Sequence, residues 1–174
     1  MKTSLLPFSA VSVLLAFSLQ TQAQIQSQVP GQTQDGKIQN KVYNISSQDA
    51  EMEAAIAKAR STLDAFLKVQ ANPPKGAEEF KIKVLFTGGG HSEHIWVTPF
   101  QVTKTGFKGT LAGEPRYVKH LVNGQDVTFT RADVSDWGYT LNEKQKGSYT
   151  VCVMFNHMPA AEANRYRRDY GFEC

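Results

Sequence analysis

Two histidines and a glutamate follow a run of three glycines, Gly88-Gly89-Gly90-His91-Ser92-Glu93-His94. Imidazole nitrogens beside a carboxylate can ligate zinc or another transition metal. The same groups can also move a proton. His91 and His94 are therefore the candidate metal ligands, and Glu93 with His94 the candidate acid–base pair. Asp136, just before Trp137, is the third candidate catalytic residue. Trp96, Trp137 and Tyr139, together with Glu114, form the candidate binding set, with the indoles and phenol as an aromatic wall.

Spacing weighs against the metal. Positions i and i+3 of a strand face opposite ways. His91 and His94 could share an ion only if the glycine turn folded one back toward the other, with a third ligand from His120, Asp136 or His157. The His-Glu-x-x-His order of helical zinc hydrolases is missing. Structural roles compete at each candidate. His94 can pack beside Trp96, and Glu93 can bond a backbone turn. Asp136 can accept backbone hydrogen bonds at a corner while Trp137 fills core. No serine sits in a Gly-x-Ser-x-Gly elbow. The glycines lack the lysine and hydroxyl that a phosphate loop needs. No cofactor is implied.

The elements that must position these residues are readable from periodicity. Met52, Ile56, Ala59, Leu63, Phe66 and Leu67 recur at helical spacing, predicting a helix from about 49 to 70. Ser46 with Asp49, or Ser47 alone, would cap it, and Asn72-Pro73-Pro74 would stop it. Phe80, Ile82, Val84 and Phe86 alternate with Lys81, Lys83 and Leu85 in a strand. The glycines turn it into a second strand, 94–102, in which Pro99 demands an edge or a bulge. Short strands follow at 107–111 and 126–130, and Arg116 to Leu121 fits either an extended segment or a helical turn. Asp133 to Asp136 reads as a corner leading into a hairpin of 137–141 and 148–155. Both faces of Tyr149 to Phe155 are apolar, which predicts a central strand. Pro159 suits the start of a last helix, ending at Gly171. If that helix covers the side of the strand carrying Cys152, the tail returns Cys174 to it, and the two form a disulfide. The fold class expected is α+β: an N-terminal helix packed on a curved antiparallel β-sheet, with a C-terminal helix.

Composition bounds the setting. Met1-Lys2, the apolar run Leu5 to Phe17 and the small residues of Thr21-Gln22-Ala23 have the form of a cleavable signal peptide, residues 1–23. The run is too short to anchor in a bilayer, which takes roughly 20 residues. No later apolar stretch reaches that length, so no stable membrane insertion is expected. Glutamine then recurs at 20, 22, 24, 26, 28, 32, 34 and 39, predicting a disordered tether over 24–45. Residues 46–174 remain as a single α+β domain, expected in the periplasm or secreted. The 174-residue chain has 19 Lys+Arg and 16 Asp+Glu, a net charge of +3 that falls by one with loss of Lys2. That near-balance gives no electrostatic reason to expect nucleic acid.

Glu93-His94-Ile95-Trp96-Val97, Gly106 to Leu111, Glu114-Pro115, Gly124 and Asp136-Trp137-Gly138-Tyr139 occur in that order. The ordered set resembles the YegJ-like bacterial family, built on a domain of unknown function, and covers about Asp49 to Phe155. The resemblance implies a small, exported α+β domain and carries no catalytic residue or cofactor. It also looks distantly similar to immunity-type domains found near bacterial toxins. Gly113 stands where a related pattern has asparagine before Glu-Pro. The reading that follows is a periplasmic binding or interaction module for a protein or peptide of the cell envelope, toxin neutralisation being one form of it. The alternative is a small metal-dependent or acid–base hydrolase using the histidines of the glycine turn.

Overall fold

The computed structural model describes residues 49–174. The signal-peptide and tether readings, and the capping serines 46 and 47, lie outside the described residues. Helix α1 spans Ala50–Ala71. It begins at Asp49, whose carboxylate accepts the backbone N–H of Glu51 and Met52 at 3.0 and 3.3 Å. The apolar stripe buries Met52, Ala59, Leu63 and Phe66, as the helical spacing predicts.

Six strands follow in antiparallel pairing: β1 Ala77–Gly88, β2 His91–Val102, β3 Phe107–Leu111, β4 Asp126–Phe129, β5 Val134–Leu141 and β6 Lys144–Gly147. Their order in the sheet is β4-β3-β2-β1-β5-β6. β1 and β2 meet in a two-residue turn, Gly88 pairing with His91. Gly89 and Gly90 both have positive φ, +62° and +79°, a conformation that costs other residues strain. Pro99 lies inside the sheet, so the expected edge is absent. The pairing with β3 instead shifts register between Val97 and Phe100, which is the expected bulge.

One face of the sheet makes the core with α1. Ile82, Val84, Ile95, Val97 and Trp137 pack there with Leu63 and Phe66, in one cluster that extends to Phe107 and Phe129. Phe66 stacks on Trp137 with ring centroids 4.8 Å apart. The Trp137 indole N–H is satisfied by the carbonyl of Ala59 and the hydroxyl of Thr62. Polar satisfaction of that kind lets a large indole lie buried without the cost of an unpaired donor.

The hairpin after β5 corrects two expectations. Its return strand is the four-residue β6, and Tyr149 to Phe155 is helix α2, Tyr149–Asn156, not a central strand. A β-branched, aromatic run of seven residues has strand propensity, yet tertiary context overrides it. Ser148 turns the chain with φ +56°, and α2 then leaves the sheet edge to pack Tyr149 and Val153 on Met52, Ala55 and Ile56 of α1. The corner before β5 is a 3₁₀ turn at Arg131–Asp133, which leaves Asp136 inside the strand.

Helix α3, Ala160–Tyr170, ends at Gly171 with φ +70°. It packs chiefly on α2, Tyr166 stacking on Phe155 at 5.9 Å. Cys152 and Cys174 are bonded, 22 residues apart. The expected pair is present, though Cys152 reaches its partner from a helix. No helix among the described residues is long and apolar enough to cross a membrane.

Candidate functional site

The groups singled out for chemistry separate into a sealed joint and an open cleft. The joint lies on the sheet face opposite α1. Cross-strand pairing sets Lys83 of β1 beside Asp136 of β5 and Trp96 of β2. Asp136 is fully buried. Its carboxylate accepts the N–H of Trp137 at 2.9 Å, of Tyr149 at 3.2 Å and of Thr150 at 2.8 Å, and the Thr150 hydroxyl at 2.6 Å. Asp136 thus supplies the N-terminal cap of α2 from a strand thirteen residues away in sequence. Lys83 Nζ donates to the same Thr150 hydroxyl at 2.7 Å and sits 4.7 Å from the centre of the Trp96 ring. Lys81 lies over that ring as well, at 5.5 Å.

Burial pushes the Asp136 carboxyl up, while the Lys83 charge and the hydrogen bonds from Thr150 and Trp137 pull it back down. Burial likewise lowers Lys83, against the opposing charge of Asp136. The Lys83 ammonium, the Asp136 carboxylate and the Thr150 hydroxyl all have protein partners, and burial closes the carboxylate to a substrate.

His94 borders the joint without joining it. Its Nδ1 is 2.8 Å from the Ser135 hydroxyl, and that hydroxyl donates to the carbonyl of Lys83 at 3.2 Å. With the hydroxyl proton given to that carbonyl, Nδ1 is the donor in the contact. Burial, followed by the charges of Lys83 and Arg60, lowers the His94 pKa to about 4. Ser135 is 1 % exposed, so the His94–Ser135 pair is closed to an incoming acyl group.

Glu93 has a different task. One carboxylate oxygen accepts the N–H groups of Arg116 and Tyr117 at 2.8 and 3.0 Å, and the other accepts Arg116 again at 3.0 Å. These bonds fix the start of the 116–121 segment, which is a series of turns in place of a strand or helix. Val118 and Leu121 of that segment enter the core. The residues between and before them stay exposed and rim a cleft of about 410 Å³ at the β1–β2 hairpin. Gly88 and Gly89 form its floor, and His91, Arg116, Tyr117, Lys119 and His120 its walls. Gly88 matters through close approach, because a Cβ there would lie 2.4 Å from the His120 ring. The His91 and Tyr117 rings face one another at 6.0 Å with a 32° tilt.

The structure therefore brings His91 to the cleft and takes His94 to Ser135, so the two do not converge on one ion. Among the described residues no three His, Cys, Asp or Glu side chains are grouped to hold a metal. His157 follows the end of α2 as its C-cap. Of the aromatic candidates, Trp137 is core and Tyr139 stacks on Phe80 at 5.0 Å, while Trp96 lies half-buried under two ammonium groups. Glu114 is exposed and lies outside the cleft lining. Sequence reading passed over Lys83, Ser135 and Thr150, and also the cleft residues Arg116, Tyr117 and Lys119. The only signal for the cleft was the contiguous basic and aromatic string Arg116-Tyr117-Val118-Lys119-His120.

The described residues thus form an α+β domain with a cleft at one hairpin and with Asp136 and Glu93 engaged by backbone N–H groups. The family described as uncharacterised proteins conserved in bacteria (DUF2314) matches residues 49–174, and the chain belongs to that family. It is 33 % identical over 116 residues to the uncharacterised protein YegJ of Escherichia coli K12, covering 67 % of this chain and 74 % of that one. It is also 24 % identical over 140 residues to a Neisseria meningitidis serogroup B protein provisionally named for ankyrin repeats, covering 76 % of this chain and 55 % of that one. No solved structure matches.

Proposed function

We propose that this protein is a binding module of the bacterial cell envelope that recognises a protein or peptide partner through the hairpin cleft. One observation carries the reading. Glu93, the carboxylate best placed by sequence for proton transfer, holds Arg116 and Tyr117 in position by accepting their N–H groups. The result is an exposed, walled cleft beside a hairpin whose other ionisable neighbours are locked in the fold. Support for an envelope location comes from the signal-like pattern of Met1 to Ala23 and from a disulfide, which persists in oxidising compartments. Toxin neutralisation would be one use of such a surface.

The hydrolase alternative draws on the His94–Ser135 contact alone, and Ser135 is sealed and already bonded to the Lys83 carbonyl. The test is site-specific photocross-linking in envelope preparations. A cross-linker replacing Tyr117 should yield a recurrent protein adduct that is missing when the cross-linker replaces Thr128, exposed on the far edge strand β4. Equal adducts from both positions, or none from Tyr117, would refute the reading.

A further inference from the structure

Among the described residues, the lining of the cleft combines Lys119, Arg116 and two imidazoles with no acidic side chain. In a chain with 16 acidic residues against 19 basic ones, that local one-sidedness is a property of the site and not of the whole surface. Lys119 and His120 are exposed, and the open turn at Gly89 and Gly90 crowds nothing within 4 Å of where a side chain would begin. Tyr117, 42 % exposed, presents a large ring against His91 at the same place. A cleft lined by one sign of charge concentrates ligands of the opposite sign. Cationic groups beside an aromatic face provide a charged contact and an apolar one within one site.

We propose that the cleft binds an acidic segment of a partner polypeptide, seating a carboxylate among Lys119, His91 and His120 while the adjoining apolar side chain lies on Tyr117. This rests on the recognition reading above and names the chemistry recognised. Size favours a peptide over a lone phosphate. The cleft, at about 410 Å³, falls in the roughly 300–1,000 Å³ range of sites for ligands of drug size. Phosphate-binding loops hold their anion tightly by converging backbone N–H groups, whereas the Arg116 and Tyr117 N–H groups here are already taken by Glu93. His91, Lys119 and His120 present exposed side chains on an open rim, suited to an extended chain that brings its own apolar contacts. Glu93 is a positioning residue in this account, since it orients the wall without facing the ligand.

The test is a titration of the ¹⁵N-labelled protein at low salt with three probes at matched ionic strength. They are a blocked peptide of two glutamates around a tyrosine, its glutamine counterpart, and inorganic phosphate. The acidic peptide should give saturable shifts at Gly89, His91, Tyr117 and Lys119. Lys119→Glu, at an exposed position outside the core, should weaken it by roughly five-fold or more, the scale of one exposed charge contact. The glutamine peptide should not saturate. Equal binding of the two peptides, unchanged affinity in Lys119→Glu, or saturation of the same amides by phosphate would overturn the proposal. The photocross-linking separates the two claims. A Tyr117 adduct that persists unchanged in Lys119→Glu would sink the acidic-segment chemistry alone, while acidic-peptide binding with no cellular adduct would sink the recognition reading alone.

Discussion

The joint around Asp136 and the cleft around Lys119 contain similar side chains in opposite conditions. Both assemble cationic groups near an aromatic ring, Lys83 over Trp96 in one and Lys119 beside Tyr117 in the other. In the joint, burial removes water, and Lys83, Asp136 and Thr150 take their partners from the protein. In the cleft, Lys119 and His120 are exposed to solvent instead of being held by protein partners inside the fold. Residue type alone does not distinguish the two regions. Solvent access does.

The largest test of that contrast is removal of the carboxylate from the joint. Asp136→Ala would strand three backbone N–H groups and leave the Lys83 ammonium without its countercharge. Breaking a buried pair in this way costs about 3–5 kcal/mol. Urea denaturation should show that loss, with α2 the element released first. A loss below about 1 kcal/mol would mean the joint is not structural.

Next in size is the disulfide. Reduction, or Cys152→Ser, frees a tail that closes a 22-residue span, worth about 3 kcal/mol in the chain-entropy model. The transition of the reduced protein should shift to lower urea while the cleft amides keep their native chemical shifts, because the tail packs on α2 and β6 and away from the hairpin. Two reactive thiols in the unfolded, unreduced protein would show that the bond is absent.

Glu93→Ala should cost about 1–2 kcal/mol, the scale of charge-assisted bonds to two N–H groups. Its larger consequence is for the cleft, whose Arg116–Tyr117 wall loses its tether, so acidic-peptide binding should weaken although Lys119 is intact. Unaltered binding in this variant would detach Glu93 from the site.

The smallest effect is a pH dependence. The folded-state pKa of His94, about 4, lies below its ordinary 6.5. Between those values the unfolded chain takes up a proton that the folded chain refuses, so stability falls as pH drops from about 6.5 toward 4. Solvent around the half-buried ring moderates the size of the slope. His94→Gln should flatten the slope relative to the wild type. An identical slope would place the titration elsewhere.

How much of this could be read in advance follows from how local each signal is. Helix α1 and the β1–β2 hairpin were legible because their information is contiguous: a stripe at helical spacing, a strict alternation, and glycines where φ must be positive. Tyr149 to Phe155 was not, because its cap is Asp136, on another strand, and no window around the segment contains it. The same limit hid the joint. Lys83 alternates outward in β1 and so resembles a solvated lysine until β5 and α2 are laid against it. Asp136 was rightly suspected of accepting backbone hydrogen bonds, but as a corner, where it in fact joins a strand to a helix. Glu93 was likewise suspected of bonding a turn, and the turn it bonds is the wall of the cleft.

The most direct test crosses the two regions in one binding measurement. The acidic peptide is titrated into wild type, Asp136→Asn and Lys119→Glu, each under conditions where the protein is folded. Asp136→Asn, which keeps the shape of the joint while removing its charge, should bind as the wild type does despite lower stability. Lys119→Glu should keep wild-type stability and bind more weakly, by roughly five-fold or more. Weakened binding in Asp136→Asn with intact binding in Lys119→Glu would place recognition at the joint and contradict the assignment of the cleft.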